Sequence, residues 1–272
     1  KIALQPDGKI VVAGWYTRIG NQPKIKIARL DPADGSADPA FMDGSGIYQV
    51  TTGGDVGYTT VVQPDGKVLF GGDRGLLRIN ADGTRDTAFV AALGNGATVK
   101  TIVLQPDAKI LVAGYGFATA RNGIARLNAN GSVDMSFNPE FDRVSGIVLE
   151  PSGKILLSGV FQGMEQLARV NANGSADTSF AAIPNGTVDV MVRLANGSYL
   201  FGGSTFVNLD DGVQPTSHLV RVFANGTRDL SFDTVVAGGF GGVETIELQP
   251  GGGIFIGGGF GTVNGATRNN LA

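Results

Sequence analysis

The chain has 272 residues, a formal net charge of −3, 17% charged and 42% hydrophobic residues, 43 Gly, one His, one Trp and no Cys. Enough apolar residues for a core exclude a disordered chain, and high Gly with few charges suits an all-β protein of many tight turns. Composition also excludes disulfides, thiolate metal sites, cysteine nucleophiles and a three-His zinc site, and the acidic balance, with no Lys/Arg run longer than two, argues against nucleic acid as a partner. No apolar stretch approaches the roughly 18 residues of a membrane helix, so no membrane insertion is expected.

In chain order, the first expected element is a short strand A ending near Leu4, with neither an initiator Met nor a signal peptide ahead of it. The chain therefore reads as an excerpt of a longer one. Gln5-Pro6-Asp7-Gly8-Lys9 turns the backbone into strand B at residues 10–14, Pro presetting φ and Gly taking the φ > 0 position. Strand C follows at 27–30 and strand D at 37–41, joined by an Asp34-Gly35 turn. The first element returns from Val62, Leu104 and Leu149, and in decayed form around Leu194 and Leu248. Its partner is clearest from Ile124 to Phe137, returns with ends at Phe41, Phe89, Phe180 and Phe232, and begins a sixth copy at Asn269, where the chain stops.

Two hairpins per repeat make four strands, and six such repeats fit the blades of a propeller. The expectation is an all-β, six-unit β-propeller of four-stranded antiparallel blades, forming a single domain over residues 1–272. The last blade is truncated. Either further sequence completes the ring, or an open edge is left that could pair with another chain.

Within each repeat an Arg of strand C and an Asp of strand D recur together: Arg29 with Asp38, Arg78 with Asp86, Arg126 with Asp134, Arg169 with Asp177 and Arg221 with Asp229. Across a hairpin these positions face each other, so the pairs are expected to be bidentate structural staples that pin the register rather than ligand-binding arginines. The recurring Phe residues carry no polar group and are expected to pack between blades. Asp34 with Asp38, or Asp82 with Asp86, could offer oxygens to calcium. Turn Asx residues cap their own backbone, however, and one Asp of each pair is committed to Arg, so neither a metal site nor a cofactor is expected. Several Asn-Gly-Ser/Thr triplets coincide with turns, which explains them without glycans.

No nucleophile elbow, P-loop or dinucleotide fingerprint occurs. Asp210, Asp211 and His218, in the long B–C loop of the fifth repeat, form the best local cluster for an active or metal site, against the simpler reading of a solvated loop. The A–B and C–D turns are nearly uniform and share one face of the blades. The B–C and D–A connections share the other, and vary widely in length. Variation concentrated on one face is what a rigid scaffold with a binding surface would show, and equally what loops that nothing constrains would drift to. Trp15, Tyr16, Tyr115, Phe117 and His218 belong to that loop face and, with Asp210 and Asp211, are the candidate contact residues.

The motif Leu-Gln-Pro-Asp-Gly-Lys, then Ile-Ala-Arg-Leu-Asn-Ala-Asn-Gly-Ser, resembles the bacterial delta-60 repeat, a β-propeller family similar to NHL propellers. The resemblance covers essentially the whole chain, weakest in repeats five and six, and implies secreted or cell-surface bacterial proteins in which propellers act as modules. It brings no catalytic residues. The expected function is a non-enzymatic extracellular module presenting a binding or assembly surface to protein or carbohydrate, with self-association or neighbouring domains of the same parent chain as further partners. The alternatives are a lyase- or hydrolase-like enzyme with a cation-assisted site at the axial mouth, and a structural repeat of a fibre or surface layer.

Overall fold

A computed structural model of the chain describes residues 1–42, 57–118, 123–139, 141–161, 163–181, 187–204, 217–239 and 241–272. Among them there is no helix, and the chain divides into two compact bodies, Lys1–Met135 and Ser136–Ala272.

The first body holds three antiparallel sheets, each with strand order A-B-C. Their strands are Ile2–Leu4, Ile10–Ala13 and Ile27–Leu30; then Gly57–Val62, Val68–Gly72 and Gly75–Ile79; then Thr98–Leu104, Ile110–Tyr115 and Ile124–Leu127. In the second body, Arg143–Leu149, Ile155–Phe161 and Met164–Val170 form one sheet, and Val190–Arg193, Tyr199–Gly202 and Leu219–Val222 another. Val243–Leu248 pairs with Ile254–Gly258, and Leu271 adds a single bridge to Gly257 where a third strand would lie. Short ladders also decorate the connections, Arg18–Ile19 with Gln22–Pro23 and Val236–Ala237 with Thr262–Val263 and Ala266–Thr267.

The fourth strand is where the structure departs from expectation. Strand D is reduced to one bridge per repeat, such as Ile79 to Arg85 and Val170 to Ala176. Beyond that bridge the Asp side chain takes over from the ladder. Its Oδ1 accepts the N–H two residues on (Ala40, Ala88, Ser179, Ser231), and the resulting Asx turn bends the chain toward the recurring Phe.

The A–B turns and the C–D turns after the first share one geometry; the first C–D turn, from Asp31 to Ser36, has one residue more. In the first A–B turn, Gly8 N–H donates to Gln5 O and Gln5 N–H to Lys9 O, with Gly8 at φ 84°. This is a three-residue loop closed by a residue in the left-handed region, longer than a two-residue Asx-Gly turn. The Asx residue caps it: Asp82 Oδ1 accepts from Thr84 N, and Asn130, Asn173 and Asn225 do the same for Ser132, Ser175 and Thr227.

Phe41 and Phe89 are buried, Phe41 among Val11, Ile27, Val68, Phe70 and Ile79, and Phe89 among Leu69, Leu76, Val99 and Ile110. Each Phe thus fills the space between consecutive sheets of its body, and burying such a ring contributes roughly 2–3 kcal/mol. Phe180 and Phe232 take the same role in the second body, against Tyr199 and Phe201 and against Val243 and Ile256. At the opposite end of the sheets, strand A carries a β-bulge that brings its backbone onto strand B. A Cβ at Gly114 would lie 1.9 Å from Thr98 O, and one at Gly159 2.0 Å from Arg143 O, so these two positions demand Gly.

One A–B turn breaks the pattern. Ala108 occupies the Gly position at φ 64°, where an L side chain is disfavoured by about 1 kcal/mol. The equivalent Gly8 has nothing within 4 Å of an added Cβ, so the penalty is backbone strain rather than a clash. Ala108→Gly is therefore expected to raise stability by about 1 kcal/mol, read as a higher denaturant midpoint at constant slope; an unchanged or lower midpoint would contradict the assignment.

Candidate functional site

The two ends of the sheets differ in what their polar side chains do. At the turn end, each recurring Asp gathers cations on one oxygen. Asp86 Oδ2 accepts from Arg78 Nε at 2.8 Å and from Lys67 Nζ at 2.9 Å, and Asp177 Oδ2 from Arg169 Nε at 2.6 Å and Lys154 Nζ at 2.8 Å. Asp134 holds Arg126 and Lys109, Asp38 holds Arg29 with Lys9 more loosely at 3.5 Å, and Asp229 holds Arg221. The pairing is not a fork onto two carboxylate oxygens. Arg29 places both Nε and Nη2 on Asp38 Oδ2, because Oδ1 is occupied by the Asx turn.

The geometry also shows what the pairs do beyond pinning their own hairpin. Arg29 Nη1 donates to Ala81 O, Arg78 Nη1 to Ala129 O and Arg169 Nη1 to Ala224 O, each in the C–D turn of the following repeat. Four guanidinium groups, of Arg29, Arg78, Arg169 and Arg221, also lie over their repeat's Phe, at 4.8 Å for Phe41, 4.4 Å for Phe89 and 4.8 Å for Phe180 and Phe232. The Lys of the A–B turn was not singled out from the sequence, although its recurrence in Pro-Asp-Gly-Lys was visible.

Hydrogen bonds from Lys67 and then Arg78 hold the Asp86 carboxyl below the usual carboxylate range, and Lys154, Ser179 and Arg169 do the same for Asp177. A lowered folded-state pKa means stability that is complete above the unfolded pKa and lost as pH falls through the folded one. Stability is thus expected to hold from neutral pH to about pH 5 and to fall below about pH 4, and Asp86→Asn is expected to flatten that fall in a pH series of thermal melts. The two cations are unequal: the Arg78 side chain is 12% exposed and that of Lys67 31%. Arg78→Met is accordingly expected to cost about 3 kcal/mol and Lys67→Met under about 1 kcal/mol. Equal losses in chemical denaturation would refute the ranking.

Asp34 and Asp82 cap Ser36 and Thr84, while Asp38 and Asp86 hold Arg. Among the described residues no group of three or more metal-ligating side chains is assembled.

At the loop end, Trp15 follows strand B of the first repeat and is 80% exposed. Its neighbour Tyr16 folds back, its hydroxyl donating to Val12 O at 2.7 Å, and burial pushes its phenol well above the usual range. Phe117 is a correction: it is buried in the core beside Leu93 and Ala97, because the chain after Tyr115 turns inward, and it offers no surface. Asp210 and Asp211 lie outside the described residues. His218, in the second body, is half-buried, and its backbone bonds to Gly203 and Val236 as the entry to strand C.

Tyr115 does join a cluster, with three residues that sequence reasoning did not select. Lys100 Nζ lies 4.4 Å from the Tyr58 ring centre and 5.7 Å from that of Tyr115. Tyr58 hydrogen-bonds Asp73, and burial, with the Asp73 carboxylate and Tyr115 nearby, pushes its phenol up to about 12. Tyr58 and Lys100 are the extra residues of two β-bulges, since Gly57 and Thr59 pair with consecutive residues of strand B, and so do Val99 and Thr101. The equivalent bulges of the second body expel Ser145 and Glu244. A signal existed in the sequence: these positions vary freely (Tyr, Lys, Ser, Glu) at the head of otherwise apolar A strands.

The family described as a domain of unknown function (DUF5122) beta-propeller matches residues 5–41, 63–89, 105–137, 150–180 and 194–232. The chain belongs to the DUF5122 β-propeller family. Each matched segment runs from the head of an A–B turn through strands B and C to the recurring Phe, so Trp15, Asp73 and Tyr115 lie inside matched segments while Tyr58 and Lys100 fall between them. No curated protein matches this DUF5122 chain. Among solved structures it is similar to an extracellular domain, BT3049, from B. thetaiotaomicron (12% identity, TM-score 0.61, covering 98% of this chain and 32% of that one). It is also similar to the gluconolactonase XC5397 from Xanthomonas campestris (14%, TM-score 0.56, 95% and 82%) and to PorZ, a surface component of the type-IX secretion system of Porphyromonas gingivalis (15%, TM-score 0.56, 94% and 38%). The chain thus spans about a third of the length of BT3049, and likenesses at these identities establish the propeller fold alone.

Proposed function

We propose that this chain is a non-enzymatic propeller module of the bacterial delta-60 type, displayed outside the cell, whose loop end is a binding surface for carbohydrate or protein. The observation that carries this reading is the division of labour between the two ends. At the turn end the charged side chains are absorbed in the bracket of Asp, Arg and Lys. At the loop end Trp15 stands exposed, and Tyr115, 38% exposed, flanks a cation. Aromatic side chains in that setting supply contact area at little entropic cost. The similarity to an extracellular domain and to a secretion-system surface component supports the extracellular placement.

Glycan and peptide arrays probed with the intact chain test the proposal. Binding is expected to a defined subset of probes, and Trp15→Ala to weaken it about tenfold, the equivalent of ~1.4 kcal/mol, with the melting temperature unchanged. Absence of binding across both arrays would sink the proposal.

A further inference from the structure

Lys100 differs from the lysines that hydrogen bonds hold elsewhere in the first body. Lys9, Lys67 and Lys109 are held by Asp38, Asp86 and Asp134, and Lys24 donates to Pro39 O and Phe41 O. Lys100 is exposed and, among the described residues, meets no carboxylate or carbonyl; its contacts are the faces of Tyr58 and Tyr115. Ring faces attract an ammonium electrostatically but leave its N–H donors available to a better acceptor. Its position is built rather than incidental, because the bulge between Val99 and Thr101 expels it from the ladder beside the rings.

We propose that Tyr58, Asp73, Lys100 and Tyr115 form a subsite for a carboxylated sugar, the uronate class found in acidic polysaccharides. The inference rests on the binding-surface reading above and adds the class of ligand. Three features select that class. The ammonium pairs with a carboxylate. The exposed Tyr115 ring offers a flat apolar face, which matches the C–H face of a pyranose. Asp73 accepts a hydrogen bond from the hydroxyl of Tyr58, so a carboxylate stands at the edge of the ring whose face meets the cation. That charge disfavours a dianion such as a phosphate monoester, and it accepts hydrogen bonds from sugar hydroxyls. A monoanion rich in hydroxyls satisfies all three, and an acidic peptide side chain satisfies only the first.

Calorimetric titration of the intact chain at low salt tests this. The probes are hexamers of galacturonate and of mannuronate, the fully methyl-esterified galacturonate hexamer, and a hexaglutamate peptide. At least one uronate hexamer is expected to bind at least tenfold more tightly than the ester and the peptide, with affinity falling as salt rises. Lys100→Gln is expected to remove about tenfold of that affinity, Lys100→Arg to keep most of it, and Tyr115→Ala to weaken it severalfold, at unchanged melting temperature. Ester and acid binding alike, indifferent to Lys100→Gln, would overturn the subsite while leaving the surface reading intact. Peptide binding equal to that of the uronates would overturn the sugar class. Failure of both uronates would overturn the inference, and the arrays with Trp15→Ala decide separately whether the binding surface itself stands.

Discussion

The Oδ2 oxygen of the Asp that follows each C–D turn receives an Arg Nε from strand C in five repeats, and in four of them also a Lys Nζ from the A–B turn. Because the Lys comes from one turn and the Asp follows the other, this acceptor ties the two turns of a sheet together at one end. In three repeats the same guanidinium, of Arg29, Arg78 and Arg169, reaches the next repeat's turn carbonyl and lies over the Phe that fills the intervening core. Without the carboxylate, two cations would be left partly buried and uncompensated, which is far costlier than the pair is favourable. A short strand D is tolerable for the same reason: side-chain bonds replace the ladder that the strand gives up.

Repeat five shows what happens as the bracket decays. Ser198 stands where the Lys stood, and Asp229 keeps Arg221 on Oδ2 and the Asx-turn Ser231 on Oδ1, the latter as Asp177 holds Ser179. Repeat four varies it differently. Glu150 replaces the Gln at the head of the A–B turn, and the Tyr199 hydroxyl of the following repeat donates to it, with Arg169 also near. A buried carboxylate is admitted there only together with donors, which couples positions 150, 169 and 199.

With the charged bracket at the turn end, the structural demands of the loop end fall on its bulge-facing glycines and on inward-turned residues such as Phe117. Its bulges and glycines serve close backbone approach, and each bulge expels one side chain from the ladder. Substitution at that one residue leaves the pairing of the strand unaltered, so a cation, a phenol, a hydroxyl or a carboxylate can be presented by the same backbone. The cluster around Lys100 follows from this freedom in two consecutive repeats.

The sequence alone determined the propeller class, the A–B and C–D turns, the Arg–Asp pairs and the apolar role of the recurring Phe. All of these are local or repeated, so that spacing along the chain reports spacing in the sheet. It could not determine how much of strand D remains a strand, because a side-chain cap and a ladder bond compete there at similar energy. Nor could it show that the carboxylate uses one oxygen for cations and the other for its own backbone, or that the guanidinium crosses to the next repeat. Phe117 looked like a loop residue and is core, since burial depends on which way the chain turns after Tyr115. Lys100 and Tyr115 lie on the two paired strands of one hairpin, but Tyr58, 42 residues before Lys100, lies on the A strand of the preceding sheet. Only tertiary structure brings them together, because no hydrogen-bonded ladder links those two A strands and their proximity is set by side-chain packing between sheets.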